Sequence, residues 1–183
     1  MEKEIEYKGL VSENIYKELL RRGWDNEILQ INFYYSNKNL LKKPNITIRI
    51  RCIKEQMFLQ IKVKRKQRGE TRISHEYEKK IDVIPEYISY KDLRDIWKEY
   101  SLGDVKLVGF LVTDRKIIKR NGAEIAVDKN MYEGKTDFEV EIEYEGQSII
   151  VEKIIEDMGL KDNLLKGKGK FERFKESAKI QLL

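Results

Sequence analysis

Ile46-Thr47-Ile48-Arg49-Ile50-Arg51 and Leu59-Gln60-Ile61-Lys62-Val63-Lys64 alternate an apolar residue with a polar or charged one at every step. A period of two belongs to a half-buried strand, because successive side chains point to opposite faces. Lys54-Glu55-Gln56 lies between the two runs and predicts a tight connection. The same alternation recurs in Glu4-Ile5-Glu6-Tyr7-Lys8 and in Phe138-Glu139-Val140-Glu141-Ile142-Glu143. Gln30 to Tyr35, Glu76 to Ile81, Lys106 to Lys116 and Ala123 to Asp128 read as further strands, about eight in all. Asn121-Gly122 is a hairpin turn signal, since both residues tolerate a positive φ.

Helical spacing appears between these runs. Ser12-Glu13-Asn14 can cap a helix carrying Ile15, Leu19 and Leu20 that ends near Gly23. Ser89 to Tyr100, Ser148 to Met158 and Glu172 to Ile180 read as three more helices. The fold class expected is mainly β (α+β). It is an eight-stranded antiparallel closed β-barrel with flanking helices, formed as a single domain over residues 1–183. Closure removes exposed strand edges. Alternation leaves two arrangements open. The apolar faces can point inward with charges in water, or outward under the helices with charges lining the interior.

The composition bears on that choice. Of 183 residues, 38% are charged and 40% apolar, so an ordinary apolar complement carries an excess of charge. The net charge of +5 hides segregation. Lys42 to Arg72 holds eleven basic and two acidic residues, and Tyr132 to Asp157 holds nine acidic and two basic. A basic stretch alone suggests nucleic acid or phosphate surfaces. Paired with an acidic stretch, it suggests a polyanion together with the metal that neutralises it. The single cysteine, Cys52, continues the apolar parity of Ile48 and Ile50; it reads as core and fits a reducing cytosol. The charged opening Met1-Glu2-Lys3-Glu4 predicts no signal peptide. The longest apolar run, Leu107 to Val112, is far short of the roughly 20 residues a membrane helix needs.

Glu4/Glu6, Glu76/Glu78 and Glu139/Glu141, the last extending to Glu143, place pairs of carboxylates on one strand face. Hard cations such as Mg²⁺ or Mn²⁺ take such oxygens together with water and phosphate. One such pair is ordinarily a solvated sheet face; three, matched by cations, point to a site. The cations are Lys8, Arg49/Arg51, Lys62/Lys64, Arg115 and the cluster Lys166, Lys168 and Lys170. Arginine suits bidentate phosphate contact and lysine acts as a point charge. Lys66 and Arg68 have left the alternation and read as a solvated loop. Lys166-Gly167-Lys168-Gly169-Lys170 lacks a phosphate-loop pattern. The lone His75 supports neither a zinc site nor a triad and reads as a polar strand residue. Phe33, Tyr34 and Tyr35 read as core.

The motif Glu4-x-Glu6-x-Lys8 resembles the opening of the CYTH superfamily, also called triphosphate tunnel metalloenzymes. Gln30 to Tyr35, Ile48-Arg49-Ile50-Arg51, Leu59-Gln60-Ile61-Lys62 and Asp128 to Glu141 resemble its later strands in the same order. The likeness is greatest to a bacterial branch whose members are labelled adenylate cyclases. It implies the second arrangement, a barrel whose interior is a charged tunnel.

By matching position, the resemblance implies metal at Glu4, Glu6, Glu139 and Glu141, with Glu76 and Glu78 matching less closely. Phosphate contacts fall to Lys8, Arg49, Arg51, Lys62 and Arg115, with Lys64 in the same set and Lys168 or Lys170 as the C-terminal lysine. Lys8, Glu4 and Glu6 are the expected catalytic groups. Ser36 stands where many members carry Asp. The implied function is a metal-dependent cytoplasmic triphosphatase using Mg²⁺ or Mn²⁺, acting on tripolyphosphate, ATP or thiamine triphosphate, as a monomer or homodimer. The alternatives are a class IV adenylate cyclase and a non-catalytic polyphosphate or nucleic-acid binder.

Overall fold

A computed structural model describes residues 2–68, 71–145 and 149–180. Nine strands appear among them: β1 (Glu2–Val11), β2 (Asn26–Ser36), β3 (Ile46–Ile53), β4 (Gln56–Arg68), β5 (Thr71–Ile81), β6 (Tyr87–Ile88), β7 (Val105–Arg120), β8 (Ala123–Tyr132) and β9 (Lys135–Tyr144). They hydrogen-bond in the order β2-β3-β4-β5-β1-β9-β8-β7, and β7 pairs back onto β2. Every pairing is antiparallel, so eight strands form the closed barrel, and the two-residue β6 adds to β7 outside it. The expected fold class is the one observed.

The turns follow their residues. Asn121 and Gly122 adopt φ of 54° and 77°, the left-handed pair a tight β7–β8 hairpin requires. Lys54 turns the β3–β4 hairpin with φ 54°. Glu133 and Gly134 do the same for β8–β9.

Five helices, α1 (Glu13–Leu20), α2 (Lys38–Leu41), α3 (Tyr90–Ile96), α4 (Ile149–Asp157) and α5 (Lys170–Ser177), complete the described elements. Ser12 caps α1 by accepting from the Ile15 N–H. The expected start of the helix over Ser148 to Met158 lies outside the described residues. The helix expected over Ser89 to Tyr100 stops at Ile96, because Trp97 turns to extended backbone and buries its ring with Tyr100. The short α2 was not expected; Asn37 creates it by accepting from the Leu40 N–H at 2.7 Å. The last helix begins at Lys170, two residues earlier than its apolar spacing suggests, because the Gly169 N–H is capped by Glu172 at 3.1 Å.

Lys66 and Arg68 are a correction: they belong to β4. A bulge between Lys64 and Lys66 shifts the register, so the alternation breaks while the strand continues.

The apolar strand faces point outward. Ile48, Ile50 and Ile61 are fully buried with Leu40 of α2 and Leu93 of α3. Each such burial is worth about 1.5–3 kcal/mol. Val140 and Ile142 are buried with Leu19 of α1 and Val151 and Ile154 of α4. Cys52 packs against the first of these clusters and His75 stands on the outer face opposite Val63. The third cluster is different: Phe174 of α5 packs with Tyr34, Leu111 and Tyr132. Tyr34 also lines the barrel cavity, so α5 stops one part of the interior with an aromatic plug. None of the described helices is long and apolar enough to cross a membrane.

Candidate active site

With the apolar faces outside, register alone brings the charged faces together. Glu6 stands opposite Arg72 on β5 and Glu143 on β9. Lys8 stands opposite Glu141, Lys62 opposite Glu76, and Arg115 opposite Asp128. They surround a cavity of about 260 Å³ whose lining includes eight Lys or Arg and six Glu.

One part of the wall carries most of the carboxylates. Lys8 Nζ lies 2.7 Å from Glu6 and 3.3 Å from Glu141. Lys62 pairs with Glu4 and, at 3.1 Å, with Glu76. Burial pushes the Glu6 carboxyl up, but Lys8 and Lys62 outweigh it and hold it at about 2. Burial pushes the Lys8 amine down, while Glu6, Glu141 and Glu139 raise it well above its ordinary value. Lys8 is therefore a fixed cation and not a proton acceptor at neutral pH. Glu143 has less support: burial and the nearby Glu4 and Glu124 push its carboxyl up to about 7. Carboxylates crowd here beyond what the adjacent cations neutralise.

The remaining wall is cationic. Arg49 donates from Nε to Gln60 Oε1 at 2.8 Å and from Nη2 to Glu76 at 3.3 Å. Arg51 donates to Asn32 Oδ1 at 3.1 Å and has no ion pair among the described residues. Burial, with Arg49 close by, pulls its guanidinium down to about 10. Arg115 binds Asp128 through Nε and Nη2 at 2.8 and 2.7 Å and also reaches Glu141. Lys170 enters from α5 and lies 2.6 Å from Asp128 and 2.8 Å from Glu141.

Of the expected site residues, Glu4, Glu6, Glu141, Lys8, Arg49, Arg51, Lys62, Lys64, Arg115 and Lys170 line this one cavity. Lys168 does not; it is exposed and paired with Glu176. Glu139 is buried but lies against Arg173 at 2.6 Å, behind Lys170. Glu76 stands behind Lys62 and Arg49, and Glu78 accepts from Gln60 at 3.0 Å; neither lines the cavity.

Sequence reading missed Arg72, Glu124 and Glu172 as lining residues, and Asp128 as the anchor of Arg115 and Lys170, while Glu143, read as the extension of the Glu139/Glu141 pair, does line the cavity. Parity could have found two of them. Arg72 shares the face of Ser74 and Glu76, and Glu124 shares that of Ala126 and Asp128. Glu172 sits on a helix, where strand parity gives no signal.

The carboxylates fit a hard divalent cation in part. No group of three or more Asp, Glu, His or Cys among the described residues forms a ready cage. Mg²⁺ does not need one, because it keeps waters and takes phosphate oxygens beside one or two carboxylates. Glu4, Glu6, Glu141 and Glu143 are oxygen donors lining one cavity, and the burial and the neighbouring Glu4 and Glu124 that raise Glu143 are what such a cation offsets.

No curated protein matches the chain in sequence. Solved structures do. A "putative adenylate cyclase" of Bacillus halodurans superposes with a TM-score of 0.72 at 23% identity, covering 95% of this chain and 99% of its own. A Hippeastrum protein described as a putative adenylyl cyclase with a dominant triphosphatase activity gives 0.74 at 19% identity over 94% and 95%. A Pyrococcus horikoshii protein gives 0.63 at 20% over 92% and 98%. At these identities the likeness is one of fold. The CYTH domain family model matches residues 2–174, nearly the whole length. The chain therefore belongs to the CYTH domain family.

Proposed function

We propose that this chain is a divalent-metal-dependent triphosphatase that hydrolyses inorganic tripolyphosphate, or an organic triphosphate, inside its barrel. Family membership supports a triphosphate-processing enzyme. The observation that carries the reading is the positive charge left without a counter-charge. Arg72 is buried and Arg51 half-buried in the cavity lining, and neither has an ion pair among the described residues. A buried cation without its partner is costly, so these groups call for an anion from solution. The cavity volume of about 260 Å³ is below the usual 300–1,000 Å³ of sites for drug-sized organic ligands. With its mostly charged lining, that favours a small inorganic polyanion over a nucleoside triphosphate.

Phosphoryl transfer asks the protein mainly for position and charge stabilisation. Arg49, Arg51 and Arg115 would hold phosphate oxygens, with the Asp128 pairing fixing the orientation of the Arg115 guanidinium. Lys8, fixed as a cation, would stabilise charge that develops on the transferred group. Glu4, Glu6 and Glu141 would hold Mg²⁺ or Mn²⁺. When bound, the ion supplies Lewis-acid polarisation of phosphate and water. The water's proton would pass to a carboxylate and not to Lys8, whose amine is already charged.

The test is a panel of tripolyphosphate, ATP and thiamine triphosphate with Mg²⁺ or Mn²⁺, scored separately for phosphate, pyrophosphate and cyclic AMP. Phosphate release from tripolyphosphate is expected. Cyclic AMP with pyrophosphate from ATP would replace this reading with a cyclase.

A further inference from the structure

The first turn of α5 forms part of the cavity wall. Its N-terminal residue Gly169 stands among three charged groups: a Cβ built on it would lie 3.5 Å from each of Arg72 Nη1, Lys64 Nζ and Glu172 Oε2. We infer that Lys64, Arg72 and the first-turn amides of α5 form a seat for one phosphate group, and that the Glu172 carboxylate occupies this seat until substrate displaces it. This rests on the triphosphatase reading and adds to it a subsite and a residue that sets affinity.

Two independent observations support it. The first is Arg72, which is 4% exposed. Its Nη2 donates to the Gly167 carbonyl at 2.6 Å, while Nε and Nη1 have no partner among the described residues. A guanidinium buried this far with two unmet donors is built for acceptors that arrive with a ligand. The second is Glu172, whose Oε2 accepts from the Gly169 N–H at 3.1 Å and from Lys64 Nζ at 3.4 Å. An internal anion thus sits against the amides where a helix favours negative charge. A phosphate offers more charge and more acceptor oxygens than one carboxylate, so it competes for the same donors.

Displacement also has somewhere to go. A second cavity of about 290 Å³, lined by Arg65 and Lys66, shares Pro44, Lys64, Arg72 and Glu172 with the first. Glu172 stands on the boundary, so its side chain can turn outward into a basic pocket as the phosphate enters. The Lys64 amine is pulled down by burial, with Glu172 opposing that and Arg72 and Lys8 adding to it. That balance fits a site holding too little negative charge.

A merely structural Glu172 would be a helix cap. Glu172→Gln separates the roles, because the amide oxygen can still accept from the Gly169 N–H while the negative charge is gone. Calorimetric titration of the full chain with magnesium tripolyphosphate is the test. Glu172→Gln is expected to tighten binding about five- to tenfold, and Arg72→Gln to weaken it about tenfold. In a Lys64→Gln background, Glu172→Gln should change affinity less than about twofold, since the cation that Glu172 and phosphate contest is gone. Wild type that binds while Glu172→Gln binds no tighter overturns the subsite and leaves the triphosphatase reading intact. No binding by either protein overturns both. Binding by Glu172→Gln alone supports the seat in its strongest form. If that variant melts well below wild type, Glu172→Asp, which retreats from Lys64 by one methylene, must show the tightening instead.

Discussion

Phe174 occupies the space where a side chain on Gly109 would stand. A Cβ on Gly109 would lie 2.6 Å from Cζ of the Phe174 ring, and Gly109 has φ 141°, outside the range other residues adopt readily. This contact lets α5 seat its ring against Tyr34 at the plugged part of the barrel. Lys170, four residues earlier on α5, is thereby carried to Asp128 and Glu141.

Gly109→Ala should therefore destabilise the protein by about 1–3 kcal/mol through strain and displacement of the ring. At this chain length that is a fall of several degrees in melting temperature, about 2–4 °C for each kcal/mol. Thermal unfolding followed by circular dichroism measures it. An unchanged midpoint would mean that α5 is not locked against β7.

Asp128 is fully buried and holds both Arg115 and Lys170. Asp128→Asn keeps the shape but leaves two buried cations short of counter-charge. Breaking a buried pair in this way costs about 3–5 kcal/mol. Denaturant unfolding should show the midpoint falling with little change in slope. Added tripolyphosphate should recover part of the loss, because an anion can replace the missing carboxylate.

Removal of single cavity carboxylates tests the metal assignment. Glu4→Gln and Glu141→Gln should each lower metal-dependent turnover at least about tenfold, or roughly 1.4 kcal/mol of barrier. Steady-state rates across a range of Mg²⁺ or Mn²⁺ concentrations decide it. Full activity at ordinary metal concentration in both variants would remove these residues from the metal site.

Ligand and metal together should stabilise the chain more than either alone, since binding to the native state adds to its stability. At about 100 times the dissociation constant the gain is about 2.7 kcal/mol. Differential scanning calorimetry with tripolyphosphate, with and without chelator, reads this directly. The same melting temperature in all conditions would argue against an anion site in the barrel.

Acid should unfold the protein through the carboxylates of the cavity wall. Burial works against the ionised forms of Glu6 and Glu141, but Lys8 and Lys62 beside the first, and Lys170, Lys8 and Arg115 beside the second, keep both folded-state values below the ordinary 4.5. The unfolded chain therefore takes up protons first as pH falls. Their contribution is fully present above about pH 4.5 and drains away toward the Glu6 value of about 2. Urea midpoints should be clearly lower at pH 3 than at pH 4.5, while the raised Glu143, protonated first in the folded state, makes the midpoint at pH 4.5 no lower than at pH 7.

Much of this molecule is determined by its sequence alone. Alternation decides which residues share a strand face, because side chains alternate along any extended backbone whatever lies around it. Glu4, Glu6 and Lys8 must therefore stand together, as must Arg49 with Arg51 and Lys62 with Lys64. Asn121-Gly122 determines its own turn by its tolerance of positive φ. Which face is the interior is not local information. It is decided by the β2–β7 pairing that closes the sheet and by α1 to α4, which cover the apolar side. The choice of Lys170 over Lys168 is likewise tertiary, since it depends on where α5 begins and how Phe174 docks against Gly109. Arg72 and Glu172 come to the same Gly169 from positions 100 residues apart, and only the folded chain sets a carboxylate in the place where an anion would meet the guanidinium.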